Sequence, residues 1–274
     1  MTVPSIFISH GSPMFALEPG VLGPNLRAIG QSLRGIAAVL VVSPHWQTRA
    51  VRVGSSAAPE TIHDFGGFPP PLYQLQYPAP GAPELAQDVA QLLAQAGFEV
   101  TLDERRGLDH GAWVPLRYLF PDADVPVFQV SLPQSIDAAG ALRLGQALAP
   151  LRERGVLVVG SGSLTHNLYE FRQAIRNPEY AQEFVDWVRD AVAARDIEAL
   201  VDYRRRAPHA QRAHPTEEHY LPLLVAMGAS SHTDVASVVE GGMTYGVLSM
   251  DSFAFGLPDA AHVSLDHTMQ EQVA

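Results

Sequence analysis

The run Val39-Leu-Val-Val-Ser-Pro-His45-Trp46 decides how the rest of this chain is interpreted. Its first four residues are apolar and three are β-branched, which favours a strand buried on both faces, as in a parallel sheet. Ser43-Pro44 follows, and because proline cannot donate to a sheet ladder, the strand is predicted over 38–43. His45 is then expected just past the carboxyl end of the strand, where open α/β sheets bind their ligands.

Two other runs have the same design. Ser5-Ile-Phe-Ile-Ser leads directly to His10, and Val156-Leu-Val-Val-Gly leads through a short polar segment to His166. The carboxyl ends of parallel strands lie at one edge of a sheet, so we expect the three histidines to meet there.

Helical and strand-like segments alternate along the whole sequence, with no linker, internal repeat or low-complexity segment. The further predicted strands are 51–54, 98–102, 125–131, 236–240 and 245–250, and the predicted helices are 24–33, 83–97, 137–153 and 178–203. This alternation predicts an α/β fold, with one domain over 1–274, a central mostly parallel sheet flanked by helices, and a site at the strand carboxyl ends.

Composition excludes several classes of protein. The formal net charge is −11, and no Lys/Arg cluster exceeds three residues, which argues against nucleic-acid binding. Cysteine is absent, so the chain has no disulfide framework, thiolate nucleophile or cysteine-based metal site. No window approaches ~18 unbroken apolar residues, and the N-terminus lacks a basic region followed by an apolar stretch. We therefore expect a soluble, cytoplasmic enzyme that does not bind membranes.

The segment 54–83 differs from the rest of the chain. Its stretch 62–81 holds five prolines, three glycines and four aromatic residues, so it cannot form a long helix or a central strand. Long loops inside compact domains are usually functional or disordered, and the aromatic residues argue against disorder. The pattern predicts an ordered loop over a pocket.

The chain has eleven histidines, and they are not equivalent. His110 and His219 lie where loops lead into predicted helices that carry aromatic residues and carboxylates. Thr216 is predicted to cap a helix that carries His219 on its first turn and ends before Gly228. His63 and His214 lie beside candidate site segments without following a strand. Four others lie in polar or terminal segments and are expected to be structural or solvent-exposed rather than ligands: His209, His232, His262 and His267.

The residue types leave two kinds of metal open. Without cysteine, imidazole and carboxylate remain as ligands; three imidazoles suit zinc, while two imidazoles and a carboxylate suit non-haem iron(II). Serine hydrolysis is less favoured, because Gly160-Ser-Gly-Ser-Leu lacks the Gly-x-Ser-x-Gly elbow. No Gly-x-Gly-x-x-Gly or Walker pattern for binding phosphate occurs.

Seven short motifs occur together in an order typical of one family. They are His10-Gly-Ser-Pro, Ser43-Pro-His45-Trp, Ile62-His-Asp-Phe-Gly-Gly-Phe, Tyr77-Pro-Ala-Pro-Gly, Leu108-Asp-His110-Gly-Ala-Trp, Ser163-Leu-Thr-His166-Asn-Leu and Pro215-Thr-Glu-Glu-His219-Tyr-Leu-Pro-Leu. From residue 3 to about 250, the chain resembles the 4,5-DOPA extradiol dioxygenase-like branch of the class III (protocatechuate 4,5-dioxygenase B-subunit type) ring-opening dioxygenases.

The resemblance implies a small catecholic substrate, O₂ and one divalent metal ion per chain, Fe²⁺ or Zn²⁺. It places His10, His45 and His219 on the metal positions of the family, and His166 on a histidine over the metal. That histidine is an acid/base in the iron enzymes and a further ligand in zinc-loaded forms. His110 falls on a pocket histidine that hydrogen-bonds substrate or oxygen. The loop over 62–77 is expected to cover the pocket, with Phe65, Phe68 and Tyr73 forming an apolar wall against the substrate ring.

One departure from the wider superfamily bears on the metal. The superfamily uses glutamate as its third ligand, whereas this chain has His219, with Glu217 and Glu218 beside it. If a helix begins there, Glu218 points away from His219, because adjacent helical residues do not share a face. An all-histidine site makes zinc occupancy plausible. A zinc-dependent hydrolase at the same histidines, and a metal-binding protein without oxygenase activity, remain as alternatives. The substrate, the native metal and the formation of a homo-oligomer stay open.

Overall fold

One large sheet runs through the protein, for which a computed structural model describes residues 2–172 and 178–257. Its eight strands are β1 (Ser5–Ser9), β2 (Ala38–Thr48), β3 (Val51–Gly54), β4 (Val100–Asp103), β5 (Val127–Pro133), β6 (Val156–Gly162), β7 (Ala236–Val239) and β10 (Ser252–Phe255). Two shorter strands, β8 (Met243–Thr244) and β9 (Leu248–Ser249), pair separately.

The strand order is β4-β3-β5-β2-β6-β1-β10-β7. The four central strands, β5, β2, β6 and β1, are parallel, whereas β3 and β10 run antiparallel to their inner neighbours. The apolar runs of β1 and β6 are buried along their full length, as expected for strands covered on both faces. The predicted single α/β domain with a mostly parallel sheet is confirmed.

Helices cover both faces of the sheet. In chain order they are α1 (Leu22–Ser32), α2 (Pro83–Gln95), α3 (His110–Leu119), α4 (Ala138–Leu148), α5 (Leu168–Arg172), α6 (Pro178–Ala193), α7 (Ile197–Val201), α8 (Tyr203–Arg206), α9 (Ala210–Ala213) and α10 (Leu221–Ala229). One hydrophobic core contains α2, α4, α6 and α10, and the other contains α1 and α3. In the described residues, no helix is long and apolar enough to cross a membrane.

Strand β2 is longer than predicted. It continues through Pro44 to Thr48, although its pairing with β5 lapses after Val42 and resumes only at Gln47. The proline therefore interrupts the ladder, as expected, without ending the strand, because the extra residues form a bulge. As a result, His45 lies inside the bulge of a strand rather than just past its end.

Two helix predictions were wrong in their boundaries. The helix predicted over 178–203 stops at Ala193, because Arg195 adopts a left-handed conformation and Asp196 caps α7 through the backbone N–H of Ala199. Helix α10 begins at Leu221 rather than after Thr216, because an earlier start would place Pro222 in the helix interior.

The segment before α10 lies close against β6. The Ser163 N–H donates to the carbonyl of His219 (2.9 Å), and a Cβ on Gly162 would lie 2.3 Å from that carbonyl oxygen. Glycine is therefore required at this point for the approach. The contact fixes the backbone of His219 beside the carboxyl end of β6. The sequence prediction also missed β10, a four-residue strand bounded by a polar residue and Gly256.

Candidate metal centre

Five imidazoles meet at the carboxyl edge of the central strands, and we call them the histidine cluster: His10, His45, His110, His166 and His219. The ring centroid of His10 lies 5.0 Å from that of His45 and 5.4 Å from those of His110 and His219. The rings of His166 and His219 stack at 3.4 Å. Every residue predicted to belong to the site is therefore in one place.

His10 is held in one tautomer. Its Nδ1 lies 2.9 Å from the Ser161 hydroxyl, and that hydroxyl donates its only hydrogen to the carbonyl of Gly111. Ser161 must then accept a hydrogen bond from the protonated Nδ1 of His10. The lone pair of His10 is left on Nε2, which is the arrangement that outer hydrogen bonds impose on metal-ligating histidines.

His219 has the same arrangement with a different partner. Its Nδ1 lies 3.2 Å from Oε1 of Glu218, which also accepts a hydrogen bond from Thr216 (2.9 Å). Its Nε2 is buried and has no hydrogen-bond partner among the described residues. The expectation that Glu218 points away from His219 was wrong, because these residues form a turn before α10 rather than its first turn.

The bulge that carries His45 is anchored by a buried carboxylate. Asp109 accepts hydrogen bonds from Ser43 (2.8 Å) and Arg106 (2.9 Å), and Arg106 also donates to the backbone carbonyl of His45. A Cβ on Gly111 would lie 2.4 Å from Oγ of Ser43 and 3.1 Å from the His45 ring, so only glycine fits beside the bulge. These contacts fix the position of His45.

His110 is bound at two points by Asp64. The carboxylate accepts hydrogen bonds from the backbone N–H (2.9 Å) and from Nδ1 (3.0 Å) of His110. The backbone N–H is one of the unpaired donors at the start of α3, so Asp64 caps the helix while it orients the ring. Asp64 also lies 3.8 Å from Nδ1 of His45. Asp64 thereby joins the loop that precedes the short 3₁₀ helix Pro70–Gln74 to the site.

The donor atoms fit a metal ion. Potential ligand atoms of His10, His45 and His110 lie within 4.8 Å of one another, as do those of His166, Glu218 and His219. Nε2 of His10 and Nε2 of His45 are 3.1 Å apart, close to the separation of two nitrogens bound at about 2 Å to one ion. The ring of His219, whose Nε2 has no partner among the described residues, has its centroid 5.4 Å from that of His10 and 5.1 Å from that of His45. The neighbouring imidazoles offer nitrogen ligands of the kind that suits a divalent transition metal.

Burial favours the neutral form of four rings of the cluster: His10, His45, His166 and His219. It lowers the pKa of His45 and of His166 to about 4, and together with the neighbouring imidazoles it holds the pKa of His10 and His219 well below the usual range. Burial alone would raise the pKa of Asp64, but its hydrogen bonds from His110 outweigh burial and lower that pKa to about 2. Neutral imidazole is the form that binds a metal.

A cavity of about 430 Å³ opens from the histidine cluster. Phe65 and Phe68, from the predicted loop, line one wall, and Leu168 and Phe171 from α5 line another. Tyr73 stands behind Phe65, with ring centroids 5.2 Å apart, rather than in the wall. The loop therefore covers a pocket as predicted, with two of the three proposed aromatic residues facing it.

The remaining described histidines lie outside this cavity. His63 donates from Nε2 to the carbonyl of Leu75 (3.0 Å) and supports the loop, whereas His214 is buried elsewhere. His209 pairs with Glu183 at the surface, and His232 is exposed. His262 and His267 lie outside the described residues.

Sequence reasoning missed the residues that hold the imidazoles in place: Asp64, Asp109, Ser161 and, in this role, Glu218. Asp64 and Asp109 lie inside motifs that the sequence analysis had singled out, directly beside residues of interest. The available signal was a carboxylate directly beside a histidine of interest: Asp64 follows His63, and Asp109 precedes His110. Nothing in the strand pattern distinguishes Ser161 from other small strand residues.

The chain matches a protein-family model, curated relatives and a solved structure. Residues 4–255 match the family model described as the catalytic LigB subunit of aromatic ring-opening dioxygenase. A 4,5-DOPA dioxygenase extradiol from Beta vulgaris is 40% identical over 258 residues, covering 92% of this chain and 96% of that protein. A protein of the same description from Escherichia coli is 39% identical over 260 residues, covering 93% and 95%. The crystal structure of an uncharacterized Escherichia coli K12 protein superposes with a TM-score of 0.77 at 34% identity, covering 93% of this chain and all of that one.

Proposed function

This chain belongs to the family of the catalytic LigB subunit of aromatic ring-opening dioxygenases, and on that premise we propose that His10, His45 and His219 hold the metal ion of its active site. The observation that carries the assignment is the orientation of the three rings. Nδ1 of His10 donates to Ser161 and Nδ1 of His219 donates to Glu218, which leaves the lone pair of each ring on Nε2. Nε2 of His45 lies 3.1 Å from that of His10.

The chain is an extradiol ring-cleavage dioxygenase, so it consumes a catecholic substrate and O₂. Enzymes of this kind depend on a metal, which when bound orients the substrate and oxygen and transfers electron density between them. The curated relatives from Beta vulgaris and Escherichia coli are each described as a 4,5-DOPA dioxygenase extradiol, and we propose a DOPA-like catechol as the substrate here.

His166 is the proposed acid/base. Its ring stacks on that of His219 and lines the cavity, so it is within reach of a hydroxyl group of a substrate placed beside the three ligands. Because the imidazole is neutral, it can accept a phenolic proton as the substrate binds and return that proton as the ring opens. In a zinc-loaded form the same ring is a further candidate ligand.

His110 is proposed to hydrogen-bond the substrate or oxygen through Nε2, since its Nδ1 donates to Asp64. It faces the cavity from the start of α3, and Asp64 fixes its orientation through two hydrogen bonds. A group held in place in this way meets the substrate without having to reorganise during the reaction. Phe65 and Phe68 then exclude water from one side of the substrate ring.

Iron(II) is the proposed native metal. Zinc has no redox chemistry, so a zinc-loaded site could hold the substrate without activating O₂. The all-histidine ligand set nevertheless accepts zinc. We therefore expect the apoprotein to bind either ion, one per chain, and to consume oxygen only with iron.

The experiment is oxygen uptake after anaerobic loading with Fe²⁺, using a panel of catechols that includes DOPA and caffeic acid, with a zinc-loaded control. One O₂ consumed per substrate and a yellow ring-opened product, in the iron form alone, is the expected result. Turnover by the zinc form without oxygen would instead favour a metal-dependent hydrolase.

A His166→Gln variant separates the two proposed roles of that residue. We expect it to retain one Fe²⁺ per chain and to lose turnover, because His10, His45 and His219 remain. Full turnover with metal bound would contradict the acid/base assignment, and loss of the metal would make His166 a ligand.

A further inference from the structure

Short helix α5 presents one face to the catalytic cavity. Leu168, Phe171 and Arg172 all line it, and they are spaced at i, i+3 and i+4, which places them on the same side of a helix. Leu168 and Phe171 add apolar side chains to the lining of the cavity, which also contains Phe65 and Phe68 of the loop. Arg172 is the residue of this face that brings a positive charge to the cavity.

The helix is held firmly enough to position that charge. On its opposite face, Glu170 is buried and pairs with Arg212 at 2.7 Å, and its N–H donates to Asn167 (3.2 Å). Asn167 in turn donates to the backbone carbonyl of Arg212 (2.8 Å). Phe171 packs edge-on against Tyr245, with ring centroids 4.9 Å apart. These contacts fix the backbone of α5 beside the cavity.

Arg172 differs from several arginines of the protein that are paired with carboxylates. Arg212, Arg204 and Arg189 each pair with a carboxylate at 2.6–2.9 Å. Arg172 has no ion pair within residues 2–172 and 178–257. The carboxylate that does line the cavity, Asp64, is already bound by His110. The mouth of the cavity therefore carries a positive charge whose partner is not supplied by the described protein.

The net charge of the whole chain makes a cation at this position more important for binding an acidic ligand. At a formal net charge of −11 the protein repels anions, so a cation at the mouth is what favours the approach of an acidic ligand. Guanidinium also matches a carboxylate in shape, because its N–H groups form a planar fork that binds both oxygens.

We propose that Arg172 binds a carboxylate on the substituent of the catechol, so that the enzyme prefers catechols with an acidic side chain. The inference rests on the proposed function, which places the diol at the histidine cluster and leaves the substituent toward the mouth of the same cavity. Arg172 is thus a specificity-determining residue that touches the substrate away from the reacting bonds.

The test compares three catechols that differ in charge: 3,4-dihydroxyphenylpropionate, neutral 4-methylcatechol and cationic dopamine. For Arg172→Gln we expect kcat/KM for the carboxylate to fall about 10- to 100-fold, mainly through KM, since a hydrogen-bonded charge is lost. The value for 4-methylcatechol should stay within about twofold of the wild type. For Arg172→Glu the preference should shift toward dopamine. Arg154→Gln, which removes an exposed arginine that pairs with Asp88, is the matched control.

Equal losses with all three catechols, or an unchanged KM for the carboxylate, would overturn the assignment. If the wild type turned over no catechol, the proposed function would fail separately. Anaerobic titration of 3,4-dihydroxyphenylpropionate into the metal-loaded wild type and Arg172→Gln proteins would then still decide the role of Arg172, because equal dissociation constants would contradict it.

Discussion

Two buried histidines five residues apart show what distinguishes a metal ligand from a structural imidazole. His214 and His219 are both at most 5% exposed, and each has one ring nitrogen without a partner among the described residues: Nδ1 of His214 and Nε2 of His219. The other nitrogen of each ring is satisfied. Nε2 of His214 donates to the carbonyl of Leu164 (2.9 Å), and Nδ1 of His219 donates to Glu218.

The difference lies in the surroundings of the two rings. His214 lies in an aromatic cage formed with Phe184, Tyr203 and Tyr220, whose ring centroids are 5.5–6.3 Å from its own. His219 lies among other imidazoles that also offer nitrogen lone pairs. Burial and an unpartnered nitrogen are therefore insufficient to identify a ligand, and convergence of several free nitrogens on one point is the more informative feature.

Of the substitutions that test this difference, removing His219 should have the largest effect on metal binding. We expect His219→Ala to lower affinity for Fe²⁺ by more than about 100-fold, since loss even of an outer hydrogen-bonding partner costs 10- to 100-fold. Metal content after gel filtration and dissociation constants from competition with a chelator would measure it. His214→Phe, the matched control, should retain one ion per chain. Equal metal loss in both variants would remove the distinction.

Removing Glu218 should have the next largest effect. Without the carboxylate that fixes Nδ1 of His219, we expect Glu218→Ala to weaken metal binding by about 10- to 100-fold. Glu217→Ala deletes the adjacent carboxylate, which pairs with Arg204 instead, and should leave the metal affinity unchanged. Comparable losses in the two variants would mean that general negative charge, rather than the hydrogen bond, supports the site.

Changing a residue of the aromatic cage should alter the stability of the folded protein rather than its metal binding. We expect His214→Phe to lower the free energy of unfolding by about 1–3 kcal/mol, because the buried carbonyl of Leu164 loses its donor. Denaturant unfolding would measure this change. His63→Phe removes a similar bond in the half-buried loop and should cost less. A larger loss at His63 would contradict the importance assigned to burial.

The stability difference between the wild type and His214→Phe should also depend on pH. Burial lowers the pKa of His214 to about 3 in the folded protein, against about 6.5 in the unfolded chain. As the pH falls below 6.5 the unfolded state takes up a proton that the folded state does not, so the contribution of His214 to stability is present above pH 6.5 and is lost on acidification. Between pH 8 and 5 the loss is about 2 kcal/mol. The stability gap between the metal-free wild type and metal-free His214→Phe should shrink by about that amount, and a constant gap would show that His214 titrates normally.

The sequence predicted the fold and the residues around the cavity because both depend on strong local signals. Unbroken apolar runs in β1, β2 and β6 identified buried parallel strands, and the topology of such strands brings His10, His45 and His166 to one edge. The motifs then added His110 and His219, which no strand pattern could have placed.

The residues that the sequence did not predict are positioned by tertiary contacts or, for Glu218, by where the neighbouring helix begins. Ser161 acts on His10 across two neighbouring strands, and Asp64 reaches His110 across 46 residues of chain. At Thr216 a capping signal competed with Pro222, and the proline decided where α10 begins. The orientation of Glu218 followed from that boundary, so one wrong helix start produced a wrong expectation about the site.

The bulge in β2 has a further consequence for how the site comes apart. Strands open first by fraying at their ends, and His10 and His166 both follow strand ends. His45 is flanked by paired residues on both sides, through Val42 before it and from Gln47 after it. Its release therefore requires two separate stretches of the central sheet to open together. Amide hydrogens on either side of the bulge should exchange with deuterium slowly and in concert. His45 should then be the last of the five imidazoles to leave its position in the site as the protein unfolds.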